Sequence, residues 1–234
     1  ACDNIDELQQ MKEELKKVFP MKDLGEVSSY LGMDVSRDWE KKTIYLSQEK
    51  NIHEVVRRFG QEECTTAATP LQVNHGLGLP REGEETPIEL DRYLELLGSI
   101  MYVFVCTRPD IGHAVSVLSR FMAPERHGAD HWKAALRLLS FLKGTAHYRL
   151  ELGGEAAVLQ GHSDSSWADD QVERRSSQGY CFDMGSGAIS WKATRSPAVS
   201  LSSCEAELYA RTTAAQEAMW LTQLLSELGH VQPI

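Results

Sequence analysis

Apolar residues recur at helical spacing near the start of the chain, where Ile5, Leu8, Met11, Leu15 and Val18 form one stripe over residues 4–19. Asn4 stands where it can cap this helix, with Glu7 as its box partner, and Pro20 ends it. The stretches VSSYLGMDVSRD and KKTIYLSQ read as a hairpin around Asp38-Trp39-Glu40-Lys41. Ser47 opens a second helix over 48–59, stopped by Gly60. Residues 64–87, rich in Thr, Gly and Pro and carrying the acidic patch EGEE, read as a linker and as the least ordered part. Three helical segments follow at 89–106, 109–122 and 129–143, with Pro109 at a helix start, Pro124 as a divider and Gly144 as a stop. From Tyr148 the period changes. YRLELGG, AVLQGHSD, GYCFDMG and AISWKAT read as strands, and a last helix runs from about Ser203 to Leu228. The pattern predicts an α+β chain of two modules meeting near Thr145: a helical block, then a mixed sheet-and-helix layer.

The bulk numbers leave that picture standing. A hydrophobic content of 42% and a charged content of 25% are ordinary for a soluble globular protein of 234 residues. The longest apolar run, SIMYVFVC at 99–106, is too short to span a membrane. No basic-then-apolar start suggests a secretory leader. Five widely spaced Cys without a Cys-x-x-Cys pair argue against a disulfide framework or a zinc knuckle. They point to an intracellular, reducing compartment, cytoplasm or nucleus. The net charge of −10 argues against a chain whose main work is gripping nucleic acid. It leaves room for a metal-dependent nuclease with a local basic stripe.

The most informative stretch is 161–210. GHSDSSWADD, centred on Asp164, ends one strand, and SLSSCEAELYA, with Glu205 and Glu207, begins the last helix. A strand-end carboxylate and a helix-start carboxylate can meet on a divalent metal, an arrangement suited to phosphodiester chemistry. Asp164 can equally be a turn residue bonding its own backbone. Glu205 and Glu207 lie two apart on a helix and diverge by ~200°. Glu207 heads the stripe Ala210, Ala214, Ala218, Leu221 and Leu225, so it borders the packed face, and Glu205 faces solvent. Asp169 and Asp170 read as solvated loop charges.

Other polar groups have two readings each. Arg174 and Arg175 could hold a phosphate or balance Asp169, Asp170 and Glu173. Lys133, Arg137 and Lys143 fall on or near one helix face, as a track for a nucleic-acid backbone or as a solvated surface. Arg108 and Asp110 read as a structural ion pair. His127 and His131 have a metal-compatible spacing, but Pro124 and Gly128 favour packing at a helix start. His53, His113 and His162 read as surface or core-edge residues. Trp167, Trp191 and Trp220 read as mostly core, with Trp167 able to line the Asp164 site.

Nine stretches in order resemble copia-type (Ty1/copia) retrotransposon Pol polyproteins. They are FPMKDLGEVSSYLGMDV, IYLSQEKNIHEVVRRFG, LGSIMYVFVCTRPDIGHAV, LSRFM, HWKAALRLLSFLKGT, HSDSSWADD, RRSSQGYCF, ISWKATRS and SLSSCEAELYA. The resemblance implies that residues 1–145 are the C-terminal part of a reverse transcriptase, the palm end and a thumb- or connection-like block. It implies that 146–234 are the front of an RNase H-like domain. The family's first metal-binding Asp maps onto Asp164 and its helix Glu onto Glu207, with catalytic roles for both. The implied chemistry is two-metal hydrolysis of the RNA strand of an RNA–DNA hybrid, with Mg²⁺ or Mn²⁺, beside the rest of the Pol polyprotein. The family's paired polymerase aspartates map before residue 1 and its next RNase H Asp beyond Ile234, so weak or absent cleavage is expected of this chain alone. Two further readings stay open: a non-catalytic relic of such an element, and a protein-interaction module using the acidic surface.

Overall fold

The structure is a computed structural model and describes residues 4–73, 75–80, 89–154 and 158–232. The first helix, α1, spans Ile5–Val18. Asn4 Oδ1 accepts from the Asp6 N–H at 2.9 Å, and Asp6 and Glu7 at the start and Lys16 and Lys17 at the end suit the helix dipole. Its apolar stripe is not covered: Ile5 is 81% exposed and Met11 56%. Strands β1 (Ser29–Tyr30), β2 (Met33–Asp38) and β3 (Thr43–Ser47) follow. Asp38 accepts from the N–H groups of Glu40 and Lys41, which fixes the predicted turn between β2 and β3. Helix α2 covers Glu49–Arg58, and Ser47 Oγ accepts from the Glu49 N–H.

The helical block consists of α3 (Leu90–Cys106), a 3₁₀ turn at Pro109–Ile111, α4 (Gly112–Ser119) and α5 (Ala129–Gly144). The segment expected as one helix over 109–122 is therefore a tight turn and an eight-residue helix. Leu96, Leu97 and Ile100 of α3 pack with Leu118, Leu138 and Leu139 in the main core, which α2 closes with Ile52, Val55 and Val56. Arg108 is buried, pairs with both carboxylate oxygens of Asp110 at 2.8 Å and also donates to Thr145, which makes it structural as predicted. His127 stacks on Tyr93 and His131 packs on Phe121, the predicted packing roles. The segment read as a loose linker lies partly on this core: Leu77 is buried, and Ala67 and Leu71 pack against the helices. Its acidic patch EGEE lies outside the described residues.

The expected switch at Thr145 is not a clean break. Strand β4 (Leu150–Gly153) pairs antiparallel with β3, giving the sheet β1-β2-β3-β4. The open edge of β3 needs a partner, and the first strand after the helical block supplies it. A second sheet, order β5-β6-β7, holds β5 (Gln160–Ser166), β6 (Ser177–Met184) and β7 (Gly187–Arg195), with a tight turn at Gly185-Ser186-Gly187 between β6 and β7. The sheets meet where Ser186 donates from N–H and Oγ to the Gly153 carbonyl. At Gly187 a side chain would collide with the Glu151 carbonyl, so only glycine lets the two backbones approach.

Helix α6 (Ser203–Glu227) covers one face of the second sheet. Ala206, Ala210, Ala214, Leu221 and Leu225 are buried, and Tyr180 and Phe182, edge to face with each other at a centroid distance of 5.5 Å, pack against Ala214 and Leu221 of that helix face. Trp220, expected in the core, points outward and is 56% exposed, because it lies off this stripe. The architecture is α+β. No helix among the described residues is long and apolar enough to cross a membrane.

Candidate nucleic-acid and metal site

Helix α6 begins with a reciprocal cap. Ser202 Oγ accepts from the Glu205 N–H at 3.2 Å, and the Glu205 carboxylate accepts from the Leu201 N–H at 2.7 Å. Glu205 thus holds the helix start. Two residues on, Glu207 reaches the sheet and accepts from the Ser165 N–H at 3.3 Å. That N–H lies on the edge of β5 that β6 does not use. Near the other end of β5, Gln232 Oε1 accepts from the Leu159 N–H at 2.8 Å.

Asp164 sits one residue from this contact but on the other face. Gln178, Tyr180 and Phe182 face α6: Gln178 bonds Thr213, and the two rings pack with Ala214 and Leu221. Their cross-strand partners on β5 are Ser165, Ser163 and Gly161. Side chains alternate along a strand, so Asp164, paired with Gly179, lies on the opposite face. Gly179 pairs in turn with Ala193, whose Cβ lies against Gly112 at the start of α4. Asp164 therefore opens toward α4, and Glu207 approaches round the edge from α6. Among the described residues no group of three His, Cys, Asp or Glu side chains is arranged to hold a metal ion. Two carboxylates arriving from different sides do not by themselves fit a pair of dications, each needing about six oxygen ligands.

The loop after β5 differs from the sequence reading. Asp169 and Asp170 are not solvated charges. Asp169 accepts from the Ser177 N–H and Oγ at 2.6 and 2.5 Å. Asp170, 3% exposed, accepts from Arg195 at 2.9 Å and from the Val172 N–H at 3.0 Å, and Arg120 lies 3.9 Å away. Burial pushes the Asp170 carboxyl up, but the Arg195 bond, the N–H groups of Val172 and Glu173 and the Arg120 charge outweigh it and hold it below the usual range. Glu173 adds contacts to Arg195, Arg126 and Arg175. Arg120 and Arg126 come from the helical half, so this network ties the loop to that half.

The structure sorts the four cations proposed for nucleic acid. Lys133 pairs with Asp130, Arg137 donates to Thr69 Oγ1, and Arg175 pairs with Glu173. Lys143 is likewise spent on the Glu62 and Cys64 carbonyls. Arg174 is exposed and has no side-chain partner among the described residues. Trp167 donates from Nε1 to the Ser200 carbonyl at 3.0 Å, and its ring is half exposed.

Sequence reasoning missed a cleft of about 400 Å³ between α4 and the sheet face that carries Asp164; its walls include His113, Ser116, Lys192 and Thr194. No local motif marks it, because it joins residues from both halves. Desolvation lowers the His113 imidazole below its usual value; the Asp169 charge opposes this and Arg120 adds to it.

Comparison with known proteins gives the family of the chain. The family model described as reverse transcriptase (RNA-dependent DNA polymerase) matches residues 1–73. A retrovirus-related Pol polyprotein from transposon TNT 1-94 of Nicotiana tabacum is 41% identical over 225 residues, covering 94% of this chain. An uncharacterized mitochondrial protein of Arabidopsis thaliana is 32% identical over 209 residues, covering 88% of this chain and 83% of that protein. The chain belongs to the copia-type retrotransposon Pol family. It spans only 17% of the length of the tobacco polyprotein. A secreted RxLR effector protein of Plasmopara viticola is 44% identical over 131 residues, covering 56% of this chain and 91% of that protein. No solved structure matches.

Proposed function

We propose that this chain is the part of a copia-type Pol polyprotein in which the end of the reverse transcriptase, 1–145, passes into the front of an RNase H-like domain, 146–234, and that it works on RNA–DNA hybrids. The observation that carries this reading is the Glu207 carboxylate on the Ser165 N–H, beside Asp164 on the free edge of β5. Two carboxylates from separate elements stand at adjacent residues of one strand edge, one on each side of the sheet, where a further strand could pair. Asp164 presents its charge on the α4 side; Glu207 holds the edge backbone. Mg²⁺ or Mn²⁺ is the cation expected of the family, but these two residues do not fit it alone, and no hydrolytic step is assigned to them. The rest of Pol is the natural partner.

The test is cleavage of a labelled RNA–DNA hybrid in Mg²⁺ and in Mn²⁺. This chain should give little or no product. A Pol segment extended beyond Ile234 should cleave, and Asp164→Asn should abolish that activity. Robust cleavage by the chain alone, or none by the extended segment, would overturn the reading. The second outcome would favour a non-catalytic relic. One observation speaks for that alternative: the mitochondrial relative is a protein of about this extent.

A further inference from the structure

The cleft holding Asp164 does not end at the sheet. His113 and Ser166 line it, and both also line a second cleft of about 510 Å³ that continues beneath the loop carrying Arg174. The two form one groove between α4 and the second sheet. Lys192 stands on the first part and Arg174 on the second. Neither has an ion pair or side-chain hydrogen bond among the described residues. This sets them apart from the neighbouring cations: Arg120, Arg126, Arg175 and Arg195 are all committed to Asp169, Asp170 or Glu173. Between the two free charges the walls offer hydroxyls, from Ser116, Ser166 and Thr194, and the His113 ring.

We infer that this groove seats the phosphodiester backbone of one strand of an RNA–DNA hybrid, with Lys192 and Arg174 on successive stretches of phosphate and His113 and Ser166 between them. The assignment rests on the hybrid substrate proposed above; the groove and its contacts are new. The chemistry fits a phosphate chain: two unpaired cations on one continuous groove, with small hydroxyl donors between them. The carboxylates of Asp164, Asp110 and Asp169 also line the groove and offset part of the attraction, although Asp110 is paired with Arg108 and Asp169 is bonded to Ser177 beside Arg120. Binding should therefore be weak, in the range of about 10⁻⁴ to 10⁻⁶ M found for non-specific nucleic-acid contacts at physiological salt. The helix face of Lys133 and Arg137 is the competing track; there Lys133 is paired with Asp130 and Arg137 is held by the Thr69 hydroxyl.

The test is fluorescence anisotropy of the full chain with a fluorescein-labelled RNA–DNA hybrid, in EDTA so that no cleavage occurs, over a salt series. The Lys192→Gln/Arg174→Gln double variant should weaken binding at least about tenfold and flatten the log K against log salt slope by about 1.4 to 1.8, two phosphate contacts' worth. Lys133→Gln/Arg137→Gln should bind as the parent does. Both groove residues are exposed, and circular dichroism melts check that the variants fold. Unchanged affinity in the groove variant, loss confined to the α5 variant, or no binding by the parent chain would each overturn the inference. Groove-dependent binding without cleavage by any extended segment would retain it and reject the hydrolytic reading.

Discussion

Replacing Asp170 is the most direct probe of how the two halves are held together. Its carboxylate is 3% exposed and accepts from Arg195 and from two backbone N–H groups, of Val172 and Glu173. Asp170→Ala leaves both N–H groups without this acceptor and removes the counter-charge from two guanidinium groups. Arg120, whose side chain is 8% exposed, already has an Nε without a partner. Breaking a buried pair from one side costs about 3–5 kcal/mol. Arg195 keeps Glu173 at 3.0 Å and Arg120 keeps Ser177 at 2.6 Å, which places the expected loss near the lower end, about 3 kcal/mol. Asp170→Asn keeps an oxygen for the N–H groups and loses only the charge, so it should cost less, about 1.5–3 kcal/mol. For a chain of this size the alanine loss corresponds to roughly 6–12 °C in Tm. The carboxyl is depressed in the folded state, so its contribution is present above the unfolded value near pH ~3.9 and fades as pH falls through the folded value. Urea titration followed by tryptophan fluorescence, at pH 7 and again near pH ~3.5, reads both effects. A loss at pH 7 below about 1 kcal/mol, the value of an exposed pair, would refute the reasoning, as would a difference that does not shrink in acid.

Three further outcomes are expected. Gly187→Ala should destabilise by about 1–3 kcal/mol, since the added Cβ drives β7 off the Glu151 carbonyl; chemical denaturation measures it, and a neutral effect would mean the sheets do not meet there. Ser202→Ala should cost about 1 kcal/mol in the same assay through loss of the α6 cap, and an unchanged midpoint would dismiss the cap. Leu8→Glu and Met11→Glu on the uncovered stripe of α1 should stay within about ±0.5 kcal/mol of the parent, and a larger loss would show that the stripe is packed.

The elements themselves were legible where local signals are strong. Asn4, the Asp38 turn and the Ala210–Leu225 stripe act through neighbours in sequence, and each stands where the pattern puts it. Helical phase also separated Glu207 from Glu205, although it could not show that Glu205 is used as a cap. Long-range pairing was not legible. Nothing in YRLELGG says that it will join a strand on the far side of the helical block. The bonded roles of Asp169 and Asp170 depend on Arg120 and Arg195, which lie well away in sequence, so an acidic run after a strand reads as solvated when its partners are unseen. The face of Asp164 was hidden for a similar reason. Only its register against Gly179 and Ala193 reveals that it opens toward α4.

The pairing of β4 with β3 also governs how this chain is made. As the polypeptide leaves the ribosome, β2 and β3 emerge before the helical block and can close their hairpin at once, yet the outer edge of β3 stays unsatisfied until Leu150–Gly153 has been synthesised. Every residue of α3, α4 and α5 is translated in that interval. Because a non-local strand pairing must await both its partners and a large loop closure, completion of the first sheet is a late and slow event. Until then the nascent hairpin offers a bare strand edge to any neighbouring copy, and the helical block, once collapsed, brings β4 back to cover it.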